Sequence, residues 1–232
     1  MSAPETPTKV LVTGFGPFLN IQTNPSAQIT SSLPPTLHTP TPIQIITPPS
    51  PIPAAYHKIY TQIPALLDQH DPDIVIHMGL AVERDYFAVE RSAGRDGYHE
   101  FPDIERKVVT RSENRTWFGK NGEDVLVSGV ELEGVVEGWR GYCQEIGVTG
   151  RGKGKGKGGG KGVGVDVRLS DDVGTYVCGF MYYVGLREMQ RRKGRRDVVF
   201  LHVPPLEGDA ETAVGVRVVE GLIRAIVDAR EE

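Results

Sequence analysis

The chain is predicted to adopt an α/β fold, a three-layer α/β/α sandwich with a mostly parallel twisted sheet. Three observations lead there. Short apolar runs of strand length alternate with longer segments of helical spacing from one end of the chain to the other. At 232 residues there is enough chain for one sizeable core, so a single domain over 1–232 is expected. The polar, glycine-marked loops that carry chemistry follow the ends of the apolar runs, and in such sheets ligands bind outside the carboxyl ends of the strands.

The elements follow in order. Residues 9–15 (Lys9-Val10-Leu11-Val12-Thr13-Gly14-Phe15) read as a short buried strand that breaks at Gly14 into a loop holding Pro17 and Pro25. Weak helix signals start at Ser26. Residues 34–53 are proline-rich, with 43–46 the one stretch able to pair as a strand. Helical spacing returns over 54–70 through Ile59, Ile63, Leu66 and Leu67, and Pro64 is expected to kink or restart that helix. Asp71-Pro72-Asp73 stops it and leads into a second strand over 74–78.

Residues 79–121 are polar and irregular, as site-forming loops or an excursion from the sheet would be. A helix is expected over 131–146, weakened by Gly134, Gly138 and Gly141. The Gly/Lys-rich stretch 147–164 reads as a disordered insert, because it has nothing to bury against its ordering entropy. It lies between a helix and the start of a strand, so it should emerge from the edge opposite the site. A strand over 165–169, a helix over 175–190, a strand over 197–203 and an amphipathic helix over 209–229 complete the pattern.

Hydrophobic residues make up 39% of the chain and no apolar stretch approaches the roughly 20 residues of a membrane span. Residues 1–8 are expected to be flexible and lack the apolar core of a signal peptide, so a cytoplasmic protein is expected. The two cysteines, Cys143 and Cys178, should stay reduced. They form no CxxC pair or Cys/His cluster, so neither metal nor other cofactor is implied. The net charge of -4 hides a basic block of +8 over 151–196 against -12 elsewhere. That block could touch nucleic acid, but it has neither aromatic interleaving nor a recognition motif, so no specific nucleic-acid partner is expected.

Cys178 follows Gly174-Thr175, a turn and helix cap that places its sulfur near free backbone N–H groups. Those donors favour a thiolate and could hold an oxyanion. His202 closes the apolar run Val198-Val199-Phe200-Leu201 and precedes Pro204-Pro205, which suits a general base. His77 also ends a strand near the same edge and is the second candidate. An acid to orient the imidazole could be Glu83, Asp85, Glu90 or Glu100, and spacing does not choose among them.

Five motifs occur in order: Thr13-Gly14-Phe15-Gly16-Pro17-Phe18, Asn24-Pro25-Ser26, Glu90-Arg91-Ser92-Ala93, Gly174-Thr175-Tyr176-Val177-Cys178 and His202-Val203-Pro204. Together they resemble the type I pyroglutamyl peptidases, or pyrrolidone carboxyl peptidases, over about residues 9–206 without the insert. The resemblance implies a cysteine exopeptidase that removes N-terminal pyroglutamate. It places the nucleophile on Cys178, the base on His202 and the acid on Glu90. It places substrate-binding positions on Phe15 and Phe18, with Asn24, Tyr176 and Val177 around them. An apolar slot suits an uncharged lactam.

The sequence departs from the family pattern at four places. Leu80 replaces a lactam-binding glutamine, and Glu100 replaces an arginine credited with helping the oxyanion. Leu19-Asn20 stands for Gly-Gly after Phe18, and Gly94-Arg95 replaces an asparagine. Arg84 or Arg95 could supply the missing positive charge. The expected function is therefore hydrolysis of pyroglutamyl peptides, with a catalytically impaired binding module on the same fold as the alternative. A homo-oligomer is compatible with the sequence.

Overall fold

A computed structural model describes residues 6–144, 146 and 165–231. The predicted insert, 147–164, lies outside the described residues, as do residues 1–5 of the N-terminal segment; Thr8, assigned to the flexible start, already belongs to the first strand. The strands are β1 (Thr8–Gly14), β2 (Thr36–Leu37), β3 (Ile43–Ile46), β4 (Ile74–Leu80), β5 (Phe87–Glu90), β6 (Ser92–Gly94), β7 (Val125–Val127), β8 (Val167–Ser170) and β9 (Val198–Val203). The helices are α1 (Pro25–Ser32), α2 (Tyr56–His70), α3 (Arg111–Phe118), α4 (Leu132–Cys143), α5 (Val177–Lys193) and α6 (Gly208–Glu231).

Seven strands form one sheet in the order β2-β3-β1-β4-β9-β5-β8. It is mostly parallel, with antiparallel pairs only at β2–β3 and β5–β9. Side chains alternate along each strand, so β1 sends Val10 and Val12 to one layer and Leu11 to the other. The first layer packs α1, α4 and α6 against the sheet, and the second packs α2, α3 and α5. This is the predicted three-layer sandwich. Trp139 is completely buried in the first layer, and its indole N–H donates to the Val218 carbonyl at 2.8 Å, tying α4 to α6. No described helix is long and apolar enough to cross a membrane.

Two expectations are corrected. Pro64 does not restart α2, which runs through it as one helix of 15 residues. Its apolar face, Ile59, Ile63 and Leu67, is buried on both sides of the proline, and Arg192 of α5 donates to the Pro64 carbonyl at 3.2 Å and to Asp68 at 2.8 Å. Packing on α5 thus offsets the lost intrahelical bond, a cost of about 3 kcal/mol in an unsupported helix. Second, the stretch read as irregular contains β5, inside the main sheet, together with β6 and the short helix α3.

The basic run 191–196 is threaded with carboxylates. Arg191 and Arg192 meet Glu188, Lys193 meets Asp71, Arg195 meets Asp197 at 3.0 Å and Arg196 meets Glu123.

Candidate active site

The site sits where α5 begins, above the carboxyl ends of β4 and β9. The β4–β9 register places Gly79 beside His202. Cys178 is the second residue of α5, and its sulfur lies against Gly79: a Cβ there would sit 2.8 Å from Sγ and 3.0 Å from the Phe200 ring. Only a residue without a side chain lets the thiol approach the sheet this closely. The half-buried sulfur therefore sits at the height of His202, one strand away. No hydrogen bond joins Sγ to the imidazole among the described residues.

β5 runs antiparallel to β9, pairing Ala88 with His202 and Glu90 with Phe200. From there the fully buried Glu90 reaches the ring, with Oε1 2.7 Å from His202 Nδ1. Of the four acids left open by spacing, Glu83, Asp85 and Glu100 are exposed and only Glu90 is buried at the histidine. An ionised carboxylate only accepts, so Nδ1 carries the proton and Nε2 is left as the basic nitrogen. Burial alone would raise the Glu90 pKa, but hydrogen bonds from His202, Ser170 and Arg84 outweigh it and hold the carboxyl below its ordinary value. The Tyr182 hydroxyl donates to the Glu90 carbonyl at 3.0 Å and anchors the end of β5.

The thiol departs from the expected resting thiolate. Burial pushes Cys178 up to about 12, the Glu90 charge adds to the rise and Arg84 opposes it. The helix cap differs as well: the N-cap is Tyr176, without a side-chain cap bond, rather than Gly174-Thr175. The first helical bond of α5 is Phe180 N–H to the Tyr176 carbonyl. The N–H groups of Cys178 and Gly179 therefore have no partner among the described residues and remain available to a developing oxyanion.

The expected substrate-binding positions separate into two groups. Phe18 and Tyr176 are half-buried and pack against the second layer of the core, as Cys178 does. Phe15 and Val177 are buried, at 2% and 3% exposure, and belong to that core. Asn24 is an internal brace: it caps α1 by accepting from Ser26 N–H at 3.1 Å and donates to the Gly16 carbonyl at 3.0 Å. Both ends of its amide are engaged in holding the loop that carries Phe15 and Phe18, so the residue offers no free group to a ligand. Leu80 is the last residue of β4 and half-buried.

Neither arginine considered for the missing charge is free. Arg95 holds the Gly122 carbonyl at 2.7 Å and Asp124 at 2.8 Å, bracing the β6–β7 pair. Arg84 binds Glu90 at 2.6 Å. Asp103 was not found by sequence reasoning. Although 4% exposed, its carboxylate accepts from the N–H of Tyr56, at the start of α2, at 2.8 Å, and from Glu105 and Lys107. It thus caps α2 from another loop, where Ala55 offers no side-chain cap. The Tyr176 hydroxyl donates to the Pro102 carbonyl at 3.3 Å and holds that loop against the site. A cap supplied in trans leaves no local sequence signal.

A protein-family model described as pyroglutamyl peptidase matches residues 8–115. Human pyroglutamyl-peptidase 1 is 25% identical over 230 residues, covering 98% of this chain and 94% of that protein. The pyrrolidone-carboxylate peptidase of Streptococcus suis is 25% identical over 234 residues, covering 97% and 94%. The crystal structure of Bacillus amyloliquefaciens pyroglutamyl peptidase I superposes with a TM-score of 0.71 at 21% identity, covering 97% of this chain and 98% of that one, and shares the fold.

Proposed function

We propose that this chain, 25% identical to human pyroglutamyl-peptidase 1 over nearly its whole length, is a cysteine omega peptidase that hydrolyses an N-terminal pyroglutamyl residue from peptides. The observation that carries the chemistry is Cys178 Sγ packed against Gly79, with the Glu90-oriented His202 at the same height on the next strand. A catalytically impaired binding module on the same fold finds no support in these relatives.

The resting thiol is protonated at neutral pH, so its proton leaves as the substrate is engaged. His202 Nε2 takes it, Glu90 stabilises the imidazolium, and the sulfur lone pair forms a bond to the pyroglutamyl carbonyl carbon. The carbonyl electrons move to oxygen, which the N–H groups of Cys178 and Gly179 receive. Collapse of this intermediate breaks the C–N bond, and His202 returns the proton to the departing amine. A water that gives its proton to His202 then attacks the thioester, releasing pyroglutamate and the free thiol. Phe18 and Tyr176 supply apolar walls for a ring that carries no charged amine. No cofactor enters these steps. The enzyme would act on free pyroglutamyl peptides in the cytoplasm.

The test is to incubate the folded protein with one peptide in three forms, starting with pyroglutamate, glutamine or acetylglutamine. Release of pyroglutamate from the first alone is expected. A pyroglutamyl peptide left intact by folded protein would overturn the reading.

A further inference from the structure

Glu90 is completely buried, and a buried carboxylate needs a compensating charge to stay ionised beside His202. The compensating charge comes from the β4–β5 loop. Arg84 Nη1 donates to Glu90 Oε1 at 2.6 Å, the same oxygen that His202 Nδ1 reaches at 2.7 Å. Its other nitrogen, Nη2, donates to the Asp172 carbonyl at 2.8 Å and lies 3.4 Å from Ser170 Oγ. The side chain is 16% exposed. Asp172 in turn receives Gly174 N–H at 3.1 Å, in the turn that enters α5 at Cys178. One planar guanidinium thus spans the acid and the segment that aims the nucleophile.

We propose that Arg84 is a positioning residue for the hydrolysis: it clamps Glu90 and the Asp172–Gly174 turn in one geometry, and its charge sets the lower pH limit of catalysis. The inference rests on the reading of Cys178, His202 and Glu90 as the hydrolytic centre. The ionisable groups around the His202–Glu90 pair are few. Cys178 and Tyr182 face it from α5, and Arg84 from the β4–β5 loop. The neighbouring strand positions are Gly79 on β4 and Ala88 on β5, while β8 presents the Ser170 hydroxyl and the Asp172 carboxylate turns to Gly174. Arg84 is the only cation in this set. With Oε1 shared between two donors, Glu90 draws less strongly on an imidazolium. Without Arg84, the full Glu90 charge would favour the protonated ring and oppose the thiolate more strongly.

The experiment is the pH profile of kcat/KM on a chromogenic pyroglutamyl amide for the wild type, Arg84→Gln and Arg84→Lys, with unfolding midpoints measured alongside. Arg84→Gln is expected to lose about tenfold at neutral pH and to shift its acid limb upward by about one pH unit. Arg84→Lys keeps the charge, so its limb should stay in place. Its single ammonium on a shorter stem cannot hold both Glu90 and the Asp172 carbonyl, so kcat/KM should still fall several-fold. An unmoved limb in folded Arg84→Gln, or an Arg84→Lys enzyme equal to wild type, would overturn the proposal. If Arg84→Gln does not fold, the Arg84→Lys profile decides alone. Absence of turnover in the wild type would instead strike the functional reading, whereas an active wild type with insensitive Arg84 variants removes only the role of Arg84.

Discussion

His77 and His202 lie on neighbouring strands, both buried and both turned toward α5, yet their surroundings give them opposite chemistry. His77 is at the level of Phe200, two residue pairs below the site, beneath Gly185 of α5. Its Nδ1 shares a hydrogen bond with Thr13 Oγ1 at 2.7 Å and its Nε2 has no partner among the described residues. Burial depresses its pKa to about 3, so the ring is neutral at every physiological pH. His202 sits two pairs higher, near the end of β9, with a carboxylate on Nδ1 and the thiol-bearing end of α5 beside it. On the proposed reading, what separates His202 from His77 is the carboxylate on its Nδ1 and the thiol-bearing end of α5 beside it. His77 has neither.

The largest expected effect separates the two directly. His202→Ala should lower kcat/KM by about 10²–10⁴-fold, the usual worth of a positioned acid–base group. His77→Leu should leave kcat/KM unchanged. Steady-state rates on a pyroglutamyl amide check both, and a reversed order would break the comparison.

The glycines opposite the two positions sharpen it. Gly79→Ala would place a Cβ 2.8 Å from Sγ and displace the nucleophile, with a loss of about 100-fold expected from a shift of that size. Gly185→Ala would bring a Cβ to 2.5 Å from His77 Nε2 and is expected to act on stability, by about 1–3 kcal/mol of overpacking in a denaturant titration. Loss of rate without loss of stability should mark the first position and the converse the second.

The next effect is one of pH. A histidine held neutral in the fold but free to protonate when unfolded contributes stability above its unfolded value of 6.5 that is lost as pH falls toward 3. Unfolding free energy should therefore fall by up to about 1.4 kcal/mol per pH unit below that value, and His77→Leu should remove that part of the slope. Equal slopes in both proteins would count against a neutral His77.

The smallest effect is on the surface. His57 and the Thr110 cap hold Glu113 at about 2, so this partly exposed pair contributes above the ordinary carboxylate value and is lost as pH falls toward 2. Glu113→Gln should flatten only that part of a melting curve series.

The sequence made some of this legible and concealed the rest for identifiable reasons. β1, β4, β9 and α6 are long, continuous or strongly periodic, and each stands out alone. β5 has four residues and β7 three, and their partners lie far along the chain, so nothing local marks them. Pro64 misled because the support for α2 comes from α5. Within the site, a cysteine at a helix start and a histidine at a strand end could be read from local pattern. Glu90 could be chosen among four acids only through the motif resemblance, because the choice depends on the antiparallel β5–β9 pairing. Arg84 and Asp103 act on backbone groups more than 45 residues away, at Asp172 and Tyr56 respectively, and sequence spacing does not carry such contacts.

The most direct test compares the two cysteines, since burial raises both thiols to about 12 and only their surroundings differ. Turnover of a chromogenic pyroglutamyl amide should be abolished in Cys178→Ser and retained in Cys143→Ser, with both variants folded. Activity surviving in Cys178→Ser, or lost in folded Cys143→Ser, would contradict a mechanism centred on Cys178.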